Sequence, residues 1–200
     1  TLGKASQTAL QPGAQVLVKG GEVISITSAN RIVPTASGTP GLPIVWSRYG
    51  GDGGRPILEG GDAGNVQAIF LNSQSWHTVT GFEIRNILNT YAVYLSNTSN
   101  VTLDDVHIHD VVEGIHPTPT TTTNAFTLRN STIKNVRLTP DGGGQSRAIS
   151  VVPTSLNWRI EDSEISNVDL SCLSDQGTNT LLDNVNVHDC GEANVSGDRQ

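Results

Sequence analysis

Methionine is absent from the 200 residues, and the chain opens on Thr1. The expectation is a processed or excised piece, with any signal peptide already removed. Positive charge is also scarce: Lys and Arg number 12 against 19 Asp and Glu, a net charge of −7. Nucleic acid and anionic membranes both call for clustered Lys and Arg, so neither is expected as a partner. No apolar run approaches the roughly 18–20 residues that span a bilayer, so membrane insertion through a helix is not expected. Aromatic residues make up only 4% of the chain. Gly, Thr, Ser and Asn take their place, a composition that favours short strands and many turns over helices. The length suits one domain with a real core, or a small repeat array.

Internal repetition decides between these. Five segments align without a gap: "HTVTGFEIRNI" from His77, "VTLDDVHIHDV" from Val101, "FTLRNSTIKNV" from Phe126, "WRIEDSEISNV" from Trp158 and "TLLDNVNVHDC" from Thr180. Upstream of each lies a looser short strand, "QAIFL", "YAVYL", "EGIHP", "RAISV" and "SCLSD" in turn. The starts at 77, 101, 126, 158 and 180 are 24, 25, 32 and 22 residues apart. This is a solenoid of three short strands per coil, one domain over residues 1–200, with a cap at 1–14 and coils over 15–200.

Alternation along each strand assigns the faces. Phe82, Val106, Ser131, Ser163 and Val185 form one inward column, and Ile84, Ile108, Ile133, Ile165 and Val187 another. No coil buries its own apolar face, so stacking supplies the core. Asn86, Asp110, Asn135, Asn167 and Asp189 fall where the chain bends, as do Asp105, Asn130, Asp162 and Asn184; Asn and Asp tolerate left-handed backbone there. Stacked amides can also form a ladder along the axis. His107 and His109 point outward. Their columns otherwise hold residues of an ordinary solvated strand face, and a metal shared between them is the alternative reading.

These columns resemble the right-handed parallel β-helix of the pectate lyase-like superfamily. The N-terminal segments "ALQPGAQVLVKGG" and "SGTPGLPIVWSRYGGDGGRPILEGG" are similar to the opening of secreted polysaccharide lyases of the alginate lyase and chondroitinase B type. The resemblance implies an all-β fold with a short amphipathic capping helix over Leu2 to Leu10, ended by Pro12-Gly13. It also implies β-elimination on a uronate-containing polysaccharide, in an extracellular or cell-surface protein. That group uses a Lys and an Arg on the helix surface, and many members hold Ca²⁺ in an acidic cluster. Those residues find no counterparts here one by one, and neither do the paired aspartates of the pectin hydrolases of this fold. No cofactor is therefore read from these residues; Ca²⁺ rests on the resemblance alone.

In proteins of that kind the groove runs over the strand after the Asn/Asp turn. Its outward column here reads Tyr94, His116, Ser150 and Ser174, beside Tyr91, Glu113, Arg147 and Ser171. Glu113, His116 and Arg147 offer an acid, a base and a cation on one surface, the minimum for proton transfer beside a carboxylate. They are the candidate catalytic residues, with Tyr94 and Ser150 as substrate contacts. The alternative is a surface Glu–Arg pair with an idle histidine. Two insertions interrupt the coils: Arg137 to Ser146, which would wall such a groove, with a flexible glycine loop of no consequence as the alternative, and His116 to Asn124, read as extended and exposed.

Cys172 starts one groove-side strand, and Cys190 returns to nearly the same edge one layer on. That placement allows a disulfide, with two buried thiols as the alternative. Glycosylation motifs stand at Asn97, Asn100, Asn130 and Asn194. After Cys190 the segment "GEANVSGDRQ" holds no evident cap. An uncovered coil end invites end-to-end stacking, as would suit a cut protein or one covered by another chain. A non-catalytic filament, adhesin or tailspike fragment is the second functional reading, beside an enzyme whose partner is a polysaccharide or cell-surface glycan.

Overall fold

The computed structural model describes residues 1–50, 53–61, 64–137 and 146–191. The helix Leu2–Gln7 opens the chain, with the Thr1 hydroxyl accepting from the Lys4 N–H at its start. It stops three residues before the expected Leu10, because Thr8 turns extended and its hydroxyl bonds back to the Lys4 carbonyl at 2.8 Å. Leu2 is buried against the first coil, and the Ser6 hydroxyl donates to the Arg31 carbonyl at 2.6 Å.

Every pairing between the strands that follow is parallel, and they coil into a β-helix with three faces. The first face runs through Gln15–Lys19, Ile44–Tyr49, His77–Thr80, Thr98–Asp104 and Thr123–Arg129. The second runs through Val23–Ser25, Ile57–Glu59, Glu83–Arg85, His107–Val111 and Thr132–Val136. In the last two coils the two faces fuse into continuous ten-residue strands, Arg159–Val168 and Leu181–Cys190. The third face stands apart as a five-stranded sheet: Ile69–Asn72, Tyr91–Ser96, Glu113–Pro117, Arg147–Val151 and Ser171–Asp175.

The register is the one read from the sequence: His77 pairs with Val101, Val101 with Phe126, and Arg159 with Leu181. Glu83, His107, Thr132, Glu164 and Asn186 likewise share one row. In the next row Ile84, Ile108, Ile133 and Ile165 are fully buried, each removing an apolar side chain from water for about 1.5–3 kcal/mol. Ser131 and Ser163 fill the narrower column beside them and bond back to the carbonyls two residues earlier, at 2.6 Å each.

Left-handed backbone recurs at stacked corners of the coil. Asn86, Asp110, Asn135, Asn167 and Asp189 have φ of 54–57°, and Asp105, Asn130, Asp162 and Asn184 have φ of 46–53°. Amides do form ladders there: Asn167 donates to Asn135 at 2.6 Å, and Asn135 to Asp110 at 3.1 Å. A third corner, not anticipated above, stacks Trp76, Asn100, Ala125, Asn157 and Asn179, all with positive φ.

Two expectations change. The segment from His116 to Asn124 is not uniformly exposed, since Thr118 and Thr123 are buried and only Pro119, Thr120 and Thr122 lie open to solvent. Of the insertion from Arg137 to Ser146, residues 138–145 lie outside the described residues; Ser146 is buried and donates to the Val136 carbonyl at 2.7 Å. Cys172 and Cys190 form a disulfide with Cα atoms 5.6 Å apart, tying the last described coil to the third face.

Candidate functional site

Consecutive inward residues open the three central third-face strands. Ala92 and Val93 are both buried, as are Gly114 and Ile115, and Ala148 and Ile149. This bend brings residues three apart to the same outer surface, so Tyr91 and Tyr94 stack at 5.4 Å. Gly114 is required at the bend, because a Cβ there would sit 2.2 Å from the Ala148 carbonyl oxygen.

Two rows of side chains result. Phe70, Tyr94, His116, Ser150 and Ser174 follow one another along the axis, and Tyr91, Glu113, Arg147 and Ser171 run beside them. The rings form a continuous stack: Phe70 on Tyr94 at 5.6 Å, and Tyr91 on His116 at 4.1 Å with planes 16° apart. The Arg31 guanidinium lies 5.0 Å from the centre of the Phe70 ring and ends the row. Phe70 and the direct contact of Tyr91 with His116 were not anticipated. The alignment of "QAIFL" with "YAVYL" carries the first, whereas the second depends on the bend.

His116 Nδ1 lies 3.2 Å from Glu113 Oε2, with both side chains largely buried. The two atoms are off the directions of a hydrogen bond, and each is buried without another partner. The Ser150 hydroxyl, one coil on, is also buried and unpartnered. Three orphaned polar atoms thus gather on one surface, where each leaves a donor or acceptor unmet. Burial, then the Glu113 carboxylate and Tyr94, push the Tyr91 phenol up and keep it protonated. Arg147 follows Glu113 in its row and makes no ion pair among the described residues. The structure therefore brings Glu113, His116, Tyr94 and Ser150 together, with Arg147 at their edge.

The histidines of the second face are engaged differently. His109 bridges Asp110 at 2.6 Å and Glu83 at 3.2 Å, and Glu83 in turn meets Arg85, which meets Glu59 at 2.5 Å. His107 borders a cavity of about 350 Å³ with Lys134; burial and Arg55 lower its pKa. Among the described residues no group of three or more His, Cys, Asp or Glu is arranged to hold a metal ion. Of the glycosylation motifs, Asn97 is exposed, the Asn130 amide donates to Asp104 at 2.8 Å, and Asn194 lies outside the described residues.

Residues 67–199 match the family described as right-handed beta helix region. Among solved structures, an alginate lyase from Paenibacillus sp. str. FPU-7 superposes with a TM-score of 0.77 at 19% identity, covering 97% of this chain. A GH136 lacto-N-biosidase from Eubacterium ramulus superposes with a TM-score of 0.64 at 18% identity, covering 83% of this chain. The chain spans 65% of the length of the first and 38% of the second. No curated protein matches the sequence.

Proposed function

From a chain that belongs to the right-handed beta helix family, we infer a secreted, carbohydrate-active protein that cleaves a uronate-containing polysaccharide by β-elimination. The observation that carries this reading is the ring of His116, with Tyr91 stacked on its face and Glu113 at its Nδ1 edge, beside the unpartnered Ser150 hydroxyl. Stacked aromatic rings offer flat apolar platforms to the C–H faces of a sugar. Tyr94 and Phe70 continue that platform along the axis, so an extended glycan would lie across several coils.

The chemistry follows from the charges. Arg147 binds the substrate carboxylate and lowers the acidity barrier of the neighbouring C–H. His116, through the ring nitrogen turned away from Glu113, takes that proton. The C–H electron pair becomes a carbon–carbon double bond, and the glycosidic oxygen at the β position leaves. Glu113 holds the imidazolium, which returns its proton to the departing oxygen. The disulfide suits an oxidising extracellular compartment. Asn97, exposed at a corner, is the motif best placed to carry a glycan.

The test is ultraviolet absorbance of the unsaturated product with alginate, pectate and chondroitin. Product with the native chain, lost in Glu113→Gln and His116→Ala, supports the reading; none with any uronate polymer overturns it. The polysaccharide-lyase structure among the neighbours lends support, although its likeness is one of fold.

A second reading rests on a separate observation. In the last described coil Leu182 and Val187, which continue the core columns of Ile160 and Ile165, are 47% and 42% exposed. A non-catalytic subunit stacking end to end would cover them. Light scattering with monomers only, at neutral pH, argues against that assembly.

A further inference from the structure

The first face carries a second trough, on a different side of the coil from the third-face site. Its cavity of about 380 Å³ is lined by Gly41, Pro43, Trp76, Thr78, Asn100, Thr102, Ala125 and Thr127. We propose that this trough is a binding site for an uncharged pyranose chain, with Trp76 as its stacking platform and the threonine hydroxyls and the Asn100 amide as its polar contacts.

The backbone of Trp76 is the first argument. Its φ is 60°, a conformation that bulky side chains rarely adopt and that disfavours them by roughly 1–3 kcal/mol. The same corner holds Asn157 and Asn179 in later coils, where such a backbone is easily accommodated. The turn is held at both sides, by Trp76 N–H to the Ser99 carbonyl at 3.0 Å and Ile44 N–H to the Trp76 carbonyl at 3.0 Å. A tryptophan is thus kept where asparagine is easier, with its indole half-exposed over the trough.

The second argument is the interrupted ladder. Asn179 donates to Asn157 at 3.1 Å, and Asn157 to Asn124 at 2.9 Å. Ala125 breaks this column, and the Asn100 amide below it makes no hydrogen bond among the described residues. Its donors and acceptor are left for a ligand.

The third is chemistry and spacing. Thr78, Thr102 and Thr127 occupy one row in successive coils. They rise along the axis by about 4.8 Å per coil, close to the advance of one pyranose unit in an extended chain. No charged side chain lines the trough; its threonine row continues in the next coil with Arg159, which Glu161 neutralises at 2.6 Å, and in the neighbouring row Arg129 and Asp104 neutralise each other at 2.9 Å. A polyanion finds only cations already paired with carboxylates; a neutral chain needs none.

The other two tryptophans make the test specific. Trp46 and Trp158 are fully buried, so acrylamide quenching of indole fluorescence reports on Trp76 alone. Cellohexaose, mannohexaose and xylohexaose are the probes. At least one at millimolar concentration is expected to protect the fluorescence from quenching. Trp76→Asn is expected to abolish retention by the corresponding neutral polysaccharide in affinity electrophoresis while leaving Tm unchanged or higher. Thr102→Val, which keeps the strand and removes one hydroxyl, is expected to weaken binding several-fold, and Glu113→Gln to leave it intact. No protection by any of the three, or retention that survives both first-face substitutions, overturns the proposal.

Discussion

The ring of Tyr91 lies on the ring of His116, with centroids 4.1 Å apart and planes 16° apart, although the two belong to successive coils. Each is an outward residue on a face whose neighbours point inward, so the contact is a product of stacking. It fixes the imidazole from one side while Glu113 confines it at 3.2 Å from another. Such double confinement keeps a proton acceptor in one orientation, which is the condition for proton transfer to a bound sugar.

Removing the acceptor and removing its support should therefore have different signatures. His116→Ala is expected to lower kcat by about 10²–10⁴. Tyr91→Leu should leave some activity with a raised KM, because it loses the platform and loosens the ring without removing the base. Arg147→Lys, a point charge in place of a planar fork, should recover part of what Arg147→Ala loses. Initial rates of product absorbance over a range of substrate concentrations separate these cases. Equal kcat in native protein and His116→Ala removes this histidine from the chemistry.

Gly114 supports the same site without touching a ligand. Gly114→Ala sets a methyl 2.2 Å from the Ala148 carbonyl, where backbone rather than a flexible side chain must give way. Overpacking of this kind destabilises by about 1–3 kcal/mol. The shift should appear in thermal unfolding, and near-ultraviolet circular dichroism should report loosening of the Tyr91–His116 stack. An unchanged Tm would mean that the coil spacing yields more readily than the structure shows.

The coil register was legible because two independent signals coincide in each repeat: apolar alternation and a corner residue that tolerates positive φ. Ile84 to Ile165 and Asn86 to Asn167 are both visible as columns once the segments are aligned. The third corner escaped because Trp76 and Ala125 interrupt its run of asparagines, which are the residues that mark such corners. His77 sits in the same inward row as Val101, Phe126 and Trp158, and its burial was not expected because its titratable ring reads as a surface group. The candidate site was legible as rows of residues, not as contacts. Rows three residues apart share one surface only by departing from strict alternation, and the pair of consecutive inward residues that allows this, and turns Tyr91 toward His116, left no signal of its own.

Reducing the disulfide should act locally. Cys172 and Cys190 are 18 residues apart in sequence, and a closed loop of this size contributes about 3 kcal/mol in the chain-entropy account. The stabilisation falls on Leu181–Cys190, whose side chains are mostly exposed and which pairs with Arg159–Val168 along one edge. Hydrogen exchange in the presence of a reductant should show amides of Leu181–Cys190 losing protection first, with Glu113–Pro117 unaffected. Uniform loss over all coils would mean that the last described coil is not an independent unit.

His77 makes the stability of the first coils depend on pH. It is fully buried, accepts from Trp46 Nε1 on Nδ1 at 3.3 Å and donates from Nε2 to the Ala36 carbonyl at 3.0 Å. Both ring nitrogens are committed to the neutral form, and burial lowers the pKa to about 4. The unfolded chain binds the proton at about 6.5, so below that pH protons favour unfolding. The stabilisation is complete above pH 6.5, falls as pH drops toward 4, and is constant below, a loss of about 3 kcal/mol in all. Denaturant midpoints measured across that window should trace this slope. His77→Gln can still accept from the indole and donate to the carbonyl, yet does not titrate; its midpoint should fall less over the same window. Identical acid profiles for the two proteins would place the acid sensitivity in other groups and leave His77 as packing alone.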